Sequence, residues 1–287
     1  MLTIEDNCRR LADEYGEFSA FHPRVTSNPD ASVVVPAFRE EKQIVHTIET
    51  LIASVRSAAD DSYHEPSIAE ILFVDNDASA QDRTAQLIEL CGIPLVEEHD
   101  PARKGVSYAR HRGHVESKGG VILCTDADTR VPDTWVHAHM RHYKDSTVVG
   151  VTGDYDYDQV HWLYKAYTTA RVPWRGLRWI GRKVRGLEKH VSFTGANMSY
   201  DKSAAEIFGG FELGSDKGED TIMGEQLKQT GKVILDESPE ITVLTSGRRF
   251  GTFQRAAPEI TANIQGVLRR VFNIPVPRGK NFRDYRD

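Results

Sequence analysis

Short apolar, often β-branched runs recur through the first half of this chain, and helically spaced stretches separate them. Ala31 to Pro36 is the first run, closed by a proline. Residues 41–57 follow with Ile44, Ile48, Leu51, Ile52 and Val55 on one helical face. Ile71 to Val74, Ile93 to Val96 and Val121 to Cys124 repeat the strand pattern, and a strand is expected over 146–152. Helices are expected over 81–91, 105–117 and 133–143. Strands alternating with helices of this length predict βαβ units, hence an α/β fold with a largely parallel sheet. Right-handed crossovers then bring the strand ends at 35–37, 74–77 and 125–128 to one rim. In open α/β sheets that rim is the ligand crevice.

The richest of these ends is VILCTDADTRVPDTW, residues 121–135. Asp126 and Asp128 flank Ala127 directly after a buried run, so both carboxylates can turn towards one point. Two anions that close repel unless a cation lies between them, and hard oxygen ligands suit Mg²⁺ or Mn²⁺. A solvated acidic turn before a helix is the plainer reading of the same residues.

Composition narrows the classes. The chain has 287 residues, is 39% apolar and 27% charged, and carries a net charge of −6, which speaks against general nucleic-acid binding. No apolar run reaches the roughly 18 residues of a membrane span. The first 18 residues carry acids and no apolar core, so no secretory signal is expected. Cys8, Cys91 and Cys124 are odd in number and widely spaced, which suits a reducing cytoplasm. Neither a Gly-x-Gly-x-x-Gly after the first strand nor a Walker lysine motif occurs, which excludes the common dinucleotide and P-loop designs. Residues 3–20 are expected to form an amphipathic helix, with Leu2, Ile4, Leu11 and Tyr15 inward, covering an edge of the domain.

An ordered set of segments carries a resemblance. VVVPAFREE (33–41), ILFVDNDASAQDRT (71–84), KGVSYARHRG (104–113), CTDAD (124–128), FTGANMSYDKSAAEIFGGF (193–211) and GED (218–220) resemble the family 2 glycosyltransferases over roughly residues 31–245. The resemblance implies a GT-A fold: a Rossmann-like mixed central sheet flanked by helices, here with a C-terminal helical extension. It also implies transfer of a hexose from a nucleoside-diphosphate sugar to an acceptor hydroxyl.

The family's roles fall on particular positions. Asp126, Ala127 and Asp128 resemble its Asp-x-Asp metal site, with Asp128 the direct ligand and Mn²⁺ or Mg²⁺ the cofactor. Asp75 resembles the residue that accepts a hydrogen bond from the nucleobase; a carboxylate facing an imide N–H favours uracil, hence UDP. Pro36, Ala37 and Glu40 resemble the segment cradling base and ribose. Lys104 and Arg110 match the basic segment beside base and phosphates. Gly195, Asn197 and their neighbours resemble the segment under the sugar. Asp220 resembles the general base, which implies inversion, and Glu219 an acceptor-binding or loop-orienting acid. The alternatives are a retaining GT-A transferase acting on a small acid such as a glycerate, and a catalytically silent nucleotide-sugar-binding protein.

Two features depart from the family pattern. No histidine follows His190, so a late histidine cannot complete the metal shell. Arg248 and Arg249, in a Ser-x-Arg-Arg stretch, resemble a diphosphate clamp that would assist instead. Between Lys165 and Lys189 lie eight basic residues opposed only by Glu188, interleaved with Trp174 and Trp179. This segment is either a helical flap, the preferred reading, or a surface for anionic membranes or acceptors. The tail 267–287 is also basic. The expected organisation is an N-terminal cover (1–30), a nucleotide-sugar half (31–157), a basic insert (158–190), an acceptor half (191–254) and a C-terminal helix with basic tail (255–287). The acceptor would be a carbohydrate, a lipid-linked or a small molecule, and the location cytoplasmic, with peripheral contact at the inner membrane face through 165–189 and 267–287.

Overall fold

The computed structural model describes residues 3–21, 31–59, 68–79, 81–158, 191–214 and 218–248, together with positions 160, 162, 164–166, 251, 252, 254, 257 and 261. The chain divides into two compact units, residues 1–156 with 191–245, and residues 157–190 with 246–287.

The first unit is built on a seven-stranded sheet. Its strands are β1 (Ala31–Ala37), β2 (Ile68–Asp75), β3 (Leu95–Glu97), β4 (Val121–Cys124), β6 (Val148–Gly153), β8 (Met198–Asp201) and β9 (Lys232–Asp236), in the order β3-β2-β1-β4-β8-β6-β9. β8 runs antiparallel to both β4 and β6, and the other pairings are parallel, so the sheet is mixed. Three short strands, β5 (Thr129–Arg130), β10 (Val243–Ser246) and β7 (Tyr155–Asp158), form a small second sheet in the order β5-β10-β7.

Both faces of the main sheet are covered, which is why β1 and β4 are apolar at consecutive positions rather than alternating with polar ones. Side chains still alternate in direction. Val33, Val35, Val121 and Leu123 belong to one core cluster with the helices α1 (Ile4–Phe21), α2 (Ile44–Ala59), α3 (Thr84–Leu90) and α5 (Trp135–Met140). Val34, Ile122 and Cys124 belong to the other, with Phe193, Met198, Tyr200, Phe211, Met223 and Leu227. That face also carries α4 (Val106–Glu116), whose Gly113 lies against Val34. The helices α6 (Lys202–Glu206) and α7 (Glu219–Leu227) contribute to this second layer.

Element limits shift from the expected ones for local reasons. α3 begins at Thr84 because Asp82 accepts the Thr84 N–H (3.0 Å) and its hydroxyl (2.8 Å). α5 ends at Met140 and continues as a tighter 3₁₀ turn, Arg141–Lys144. β6 starts late because Asp145 closes a turn on Thr147 and Val148. In α1 the inward face is Cys8, Leu11 and Tyr15, while Ile4 is 42% exposed and Leu2 lies outside the described residues. Ile4 lies on the same stripe, one turn before Cys8, and is exposed because it is the first residue of the helix.

In the second unit, the Gly247 N–H donates to Asp158 O at 2.8 Å, and the Tyr157 and Tyr164 rings meet edge to face at 5.7 Å. Among the described residues no helix is long and apolar enough to cross a membrane.

Candidate active site

The registers Ala37↔Asp75 and Asp75↔Glu97 align the ends of β1, β2 and β3 on one rim, and Thr125, just past β4, donates its N–H to Val34 O. Pro36 and Ala37 are buried at the end of β1. Glu40 is also buried; its N–H donates to Thr84 Oγ1 at 2.7 Å, and its carbonyl accepts from Gln43 and Ile44, starting α2. Between them Arg39 adopts a left-handed φ of 54°, which few non-glycine residues take. Its guanidinium holds that turn by donating to Asp77 Oδ2 at 2.9 Å and Ser79 Oγ at 3.0 Å. Arg39 and Lys104 both lie over the Phe38 ring, at 4.8 and 5.5 Å from its centre.

Asp75 ends β2 and is 4% exposed. Its Oδ1 accepts the Asp77 N–H at 3.3 Å, and its Oδ2 bonds His99 Nε2 at 3.0 Å. Burial raises its pKa, and the His99 contact opposes the rise. Next to it, Asn76 donates to Glu98 O (2.8 Å) and Arg103 O (3.1 Å) and accepts the Gly105 N–H (2.7 Å). One amide thereby fixes the loop between β3 and α4. Asp77 is held down to about 2: burial works against this, while the Arg39 and Ser79 hydrogen bonds outweigh it. Asn76, Asp77 and His99 were not singled out by sequence reasoning. The first two sit directly after a recognised strand end, whereas His99 carries no motif.

Beyond β4 the Asp-Ala-Asp turn is fixed from both sides. Thr47 Oγ1 donates to Ala127 O at 3.0 Å, and Thr125 Oγ1 donates to Ala196 O at 2.8 Å. Ala127 is buried, and Asp126 and Asp128 are partly exposed. Arg110, from α4, is 4% exposed and lies beneath them. Its Nη2 donates to Asp126 Oδ1 at 2.6 Å, and its Nη1 to Glu219 Oε1. Burial pulls the guanidinium pKa down, but Asp126 and Glu219 outweigh it and keep the group charged. Glu219 is buried as well; burial pushes its carboxyl up against the pull of Arg110. Both terminal nitrogens of Arg110 thus serve carboxylates of the protein. Its expected place beside base and phosphates thus comes with two carboxylates already on the guanidinium, while its buried Nε has no hydrogen-bond partner among the described residues.

α7 begins at Glu219, after Gly218 in the left-handed region (φ 86°). Asp220, next in line, has both oxygens placed by backbone donors: Gly195 N–H to Oδ2 and Thr221 N–H to Oδ1, each at 2.7 Å. Gly195 is tight in its own right, because a Cβ there would sit 2.2 Å from Arg110 Nη2. Arg110, Asp126, Gly195, Glu219 and Asp220 therefore form one connected group, drawn from four separate stretches of chain.

Asn197 has a different place. It is fully buried, and its Oδ1 accepts from Trp135 Nε1 and His139 Nε2, each at 2.9 Å. Its Nδ2 donates to Asp154 O and Ile241 O, each at 2.7 Å. Every bond the amide can make is made inside the protein. The expected placement under a sugar concerns the backbone of this segment; the Asn197 side chain itself braces the wall behind it. Arg248 belongs to the second unit, where its N–H lies 3.4 Å from Ser246 Oγ; Arg249 lies outside the described residues. So do 267–287 and the basic segment 165–189 except its first two residues.

Among the described residues no three His, Cys, Asp or Glu side chains converge to hold a metal ion. The donor set at the β4 turn is two hard-oxygen carboxylates, one with an oxygen already on Arg110. It fits an Mg²⁺- or Mn²⁺-type ion that takes most of its ligands from a diphosphate and water.

A mixed sheet covered by helices, with paired acids at the carboxyl rim of β4, defines a GT-A-type α/β protein. Residues 32–208 match the model of glycosyl transferase family 2, and the chain belongs to that family. It is 32% identical over 111 residues to a dolichol-phosphate mannosyltransferase of Mycosarcoma maydis, a match covering 37% of this chain and 36% of that enzyme. The chain thus spans about a third of that relative's length. The fold is similar to that of the mannosyltransferase PcManGT of Pyrobaculum calidifontis, solved with GDP-Man and Mn²⁺ (TM-score 0.56, 16% identity, 93% of this chain and 76% of that one). It is also similar to glucosyl-3-phosphoglycerate synthase of Mycobacterium tuberculosis, solved with Mn²⁺, UDP-Glc and phosphoglyceric acid (TM-score 0.54, 17% identity, 96% and 85%).

Proposed function

We propose that the protein transfers a hexose from a nucleoside-diphosphate sugar, with UDP as the favoured nucleotide, to an acceptor hydroxyl, inverting the anomeric centre. The observation that carries this reading is the Arg110 link, which ties Asp126 at the donor-side turn to Glu219 at the start of α7. Family membership and the Mn²⁺-bound nucleotide-sugar complexes of similar folds support it.

The roles follow from position. Pro36, Ala37, Glu40 and Asp75 form the base-and-ribose end of the rim, with Lys104 and Phe38 at its mouth. Asp128, assisted by the free oxygen of Asp126, would hold Mn²⁺ or Mg²⁺. Such an ion neutralises charge on the leaving diphosphate. Gly195 lets the backbone come close under the sugar. Asp220 takes the acceptor proton as the acceptor oxygen bonds to the anomeric carbon and the sugar–phosphate bond breaks. Its two backbone donors fix the carboxylate's direction, and each oxygen keeps a lone pair. Glu219 orients this helix start through Arg110 rather than touching the acceptor. Arg248 and Arg249 would assist the diphosphate, as the resemblance implies, and the basic segments 165–189 and 267–287 would dock the acceptor, whether it is a carbohydrate, a lipid-linked or a small molecule. Location at the inner membrane face would follow from a lipid-linked acceptor.

Asp220→Asn tests the assignment. Nucleotide binding should stay within about twofold, while transfer falls by about 10²–10⁴, the usual contribution of a general base. Proton NMR of the wild-type product should show the inverted anomer. Full turnover by the variant, or a retained anomer, contradicts the base role.

A further inference from the structure

α2 carries three hydroxyls, Thr47, Thr50 and Ser54, at the three- and four-residue spacing that lines up one side of a helix. Each meets the backbone of the segment that runs from the Asp-Ala-Asp turn into α5. Thr47 Oγ1 donates to Ala127 O at 3.0 Å, Thr50 Oγ1 accepts the Val131 N–H at 3.3 Å, and Ser54 Oγ accepts the Val136 N–H at 3.1 Å. Thr47 and Ser54 are buried, as are Ala127, Val131 and Val136. Thr50 also donates to Thr47 O at 3.1 Å, the bond to its own preceding turn that a helical threonine ordinarily makes. Thr47 gives its proton to another segment instead.

The first of these bonds bears on the chemistry. Ala127 stands between Asp126 and Asp128, so the direction of its carbonyl fixes the peptide plane from which Asp128 departs. Asp126 O closes the same turn on the Thr129 N–H at 3.1 Å. A buried acceptor stripped of its donor is costly, so without the Thr47 hydroxyl this peptide turns towards another donor and re-aims the Asp128 carboxylate. We propose that Thr47 is a positioning residue for the metal site: its hydroxyl, carried by α2, sets the Ala127 carbonyl and through it the direction of Asp128. This rests on reading Asp126 and Asp128 as the metal turn. Ser54 makes the same kind of bond two turns further along α2 and serves the fold alone.

The test is calorimetric titration of UDP into the full chain with and without Mn²⁺. Thr47→Val deletes the hydroxyl and keeps the shape. It should lose about tenfold of the affinity that Mn²⁺ adds, the lower end of what groups behind a metal ligand contribute. Its metal-free UDP affinity should stay within about twofold, and Thr47→Ser should restore the Mn²⁺ gain. Thr47→Ala, which also deletes the donor, is the second variant should Thr47→Val not fold. Ser54→Ala is the control: it should lower the urea midpoint and keep the whole Mn²⁺ gain. An undiminished gain without the Thr47 hydroxyl, or an equal loss in Ser54→Ala, overturns the proposal. If Mn²⁺ does not tighten UDP binding by the wild type, the metal reading fails and the proposal with it.

Discussion

Arg110 shows how much one residue's meaning depends on distant partners. Its ion pairs reach 16 and 109 positions along the chain, and no local pattern announces the second. The sequence places a basic residue near the acids at the rim, but only the fold reveals that the cation is buried and already shared. Breaking such a pair leaves charge in a poorly solvated place and costs about 3–5 kcal/mol. Gly195→Ala probes it without removing either charge, because the new Cβ would lie 2.2 Å from Arg110 Nη2, forcing the guanidinium aside. We expect a loss of roughly 3 kcal/mol in denaturant unfolding, with nucleotide binding impaired as well. Unchanged stability would mean that the guanidinium can move without losing its partners. Asn197 teaches the complementary lesson. Its small neighbours suggest a ligand-facing backbone, but the four partners that saturate its amide come from Trp135, His139, Asp154 and Ile241.

At the scale of elements, the parallel half of the sheet was legible. The runs at 31–36, 71–74 and 121–124 become β1, β2 and β4, because strands buried on both faces must be apolar throughout. The helix face of α2 was equally clear: Ile44, Ile48, Leu51, Ile52 and Val55 are all buried. The antiparallel insertion of β8 was not legible. Met198–Asp201 is too short for a periodic signal, and its place between β4 and β6 is set by pairing across long loops. The site divides along the same line. Acids at strand ends could be anticipated from the strands that carry them. The side-chain links that tie these ends to other elements, His99 to Asp75 and Arg110 on α4 to Asp126 and Glu219, could not.

The whole molecule carries its own pH dependence. His139 is fully buried and His114 nearly so, and burial lowers both to about 4. The ring nitrogens of His139 are spoken for by Asn197 and Ser199. In the unfolded chain a histidine titrates near 6.5, so at lower pH the unfolded state takes up protons that the native state refuses. Stability should be level above about pH 6.5 and fall as pH drops towards 4, by roughly 3 kcal/mol per histidine at the lower limit. The depressed carboxylate of Asp77, held to about 2, adds its own loss only below about pH 4. Thermal unfolding between pH 7.5 and 4.5 measures this, and a flat profile would contradict neutral buried rings.

The same scale holds the central claim, that the rim of the first unit binds a nucleotide through a metal held at the end of β4. Asp128 is partly exposed there, beside an Asp126 anchored by Arg110. The direct measurement is titration of UDP into the wild type and Asp128→Ala, each with and without Mn²⁺. Mn²⁺ should tighten UDP binding by the wild type at least about tenfold, a gain of about 1.4 kcal/mol, and the variant should lose that gain. Equal affinity in the variant with Mn²⁺ present, or no effect of Mn²⁺ on the wild type, would contradict the account.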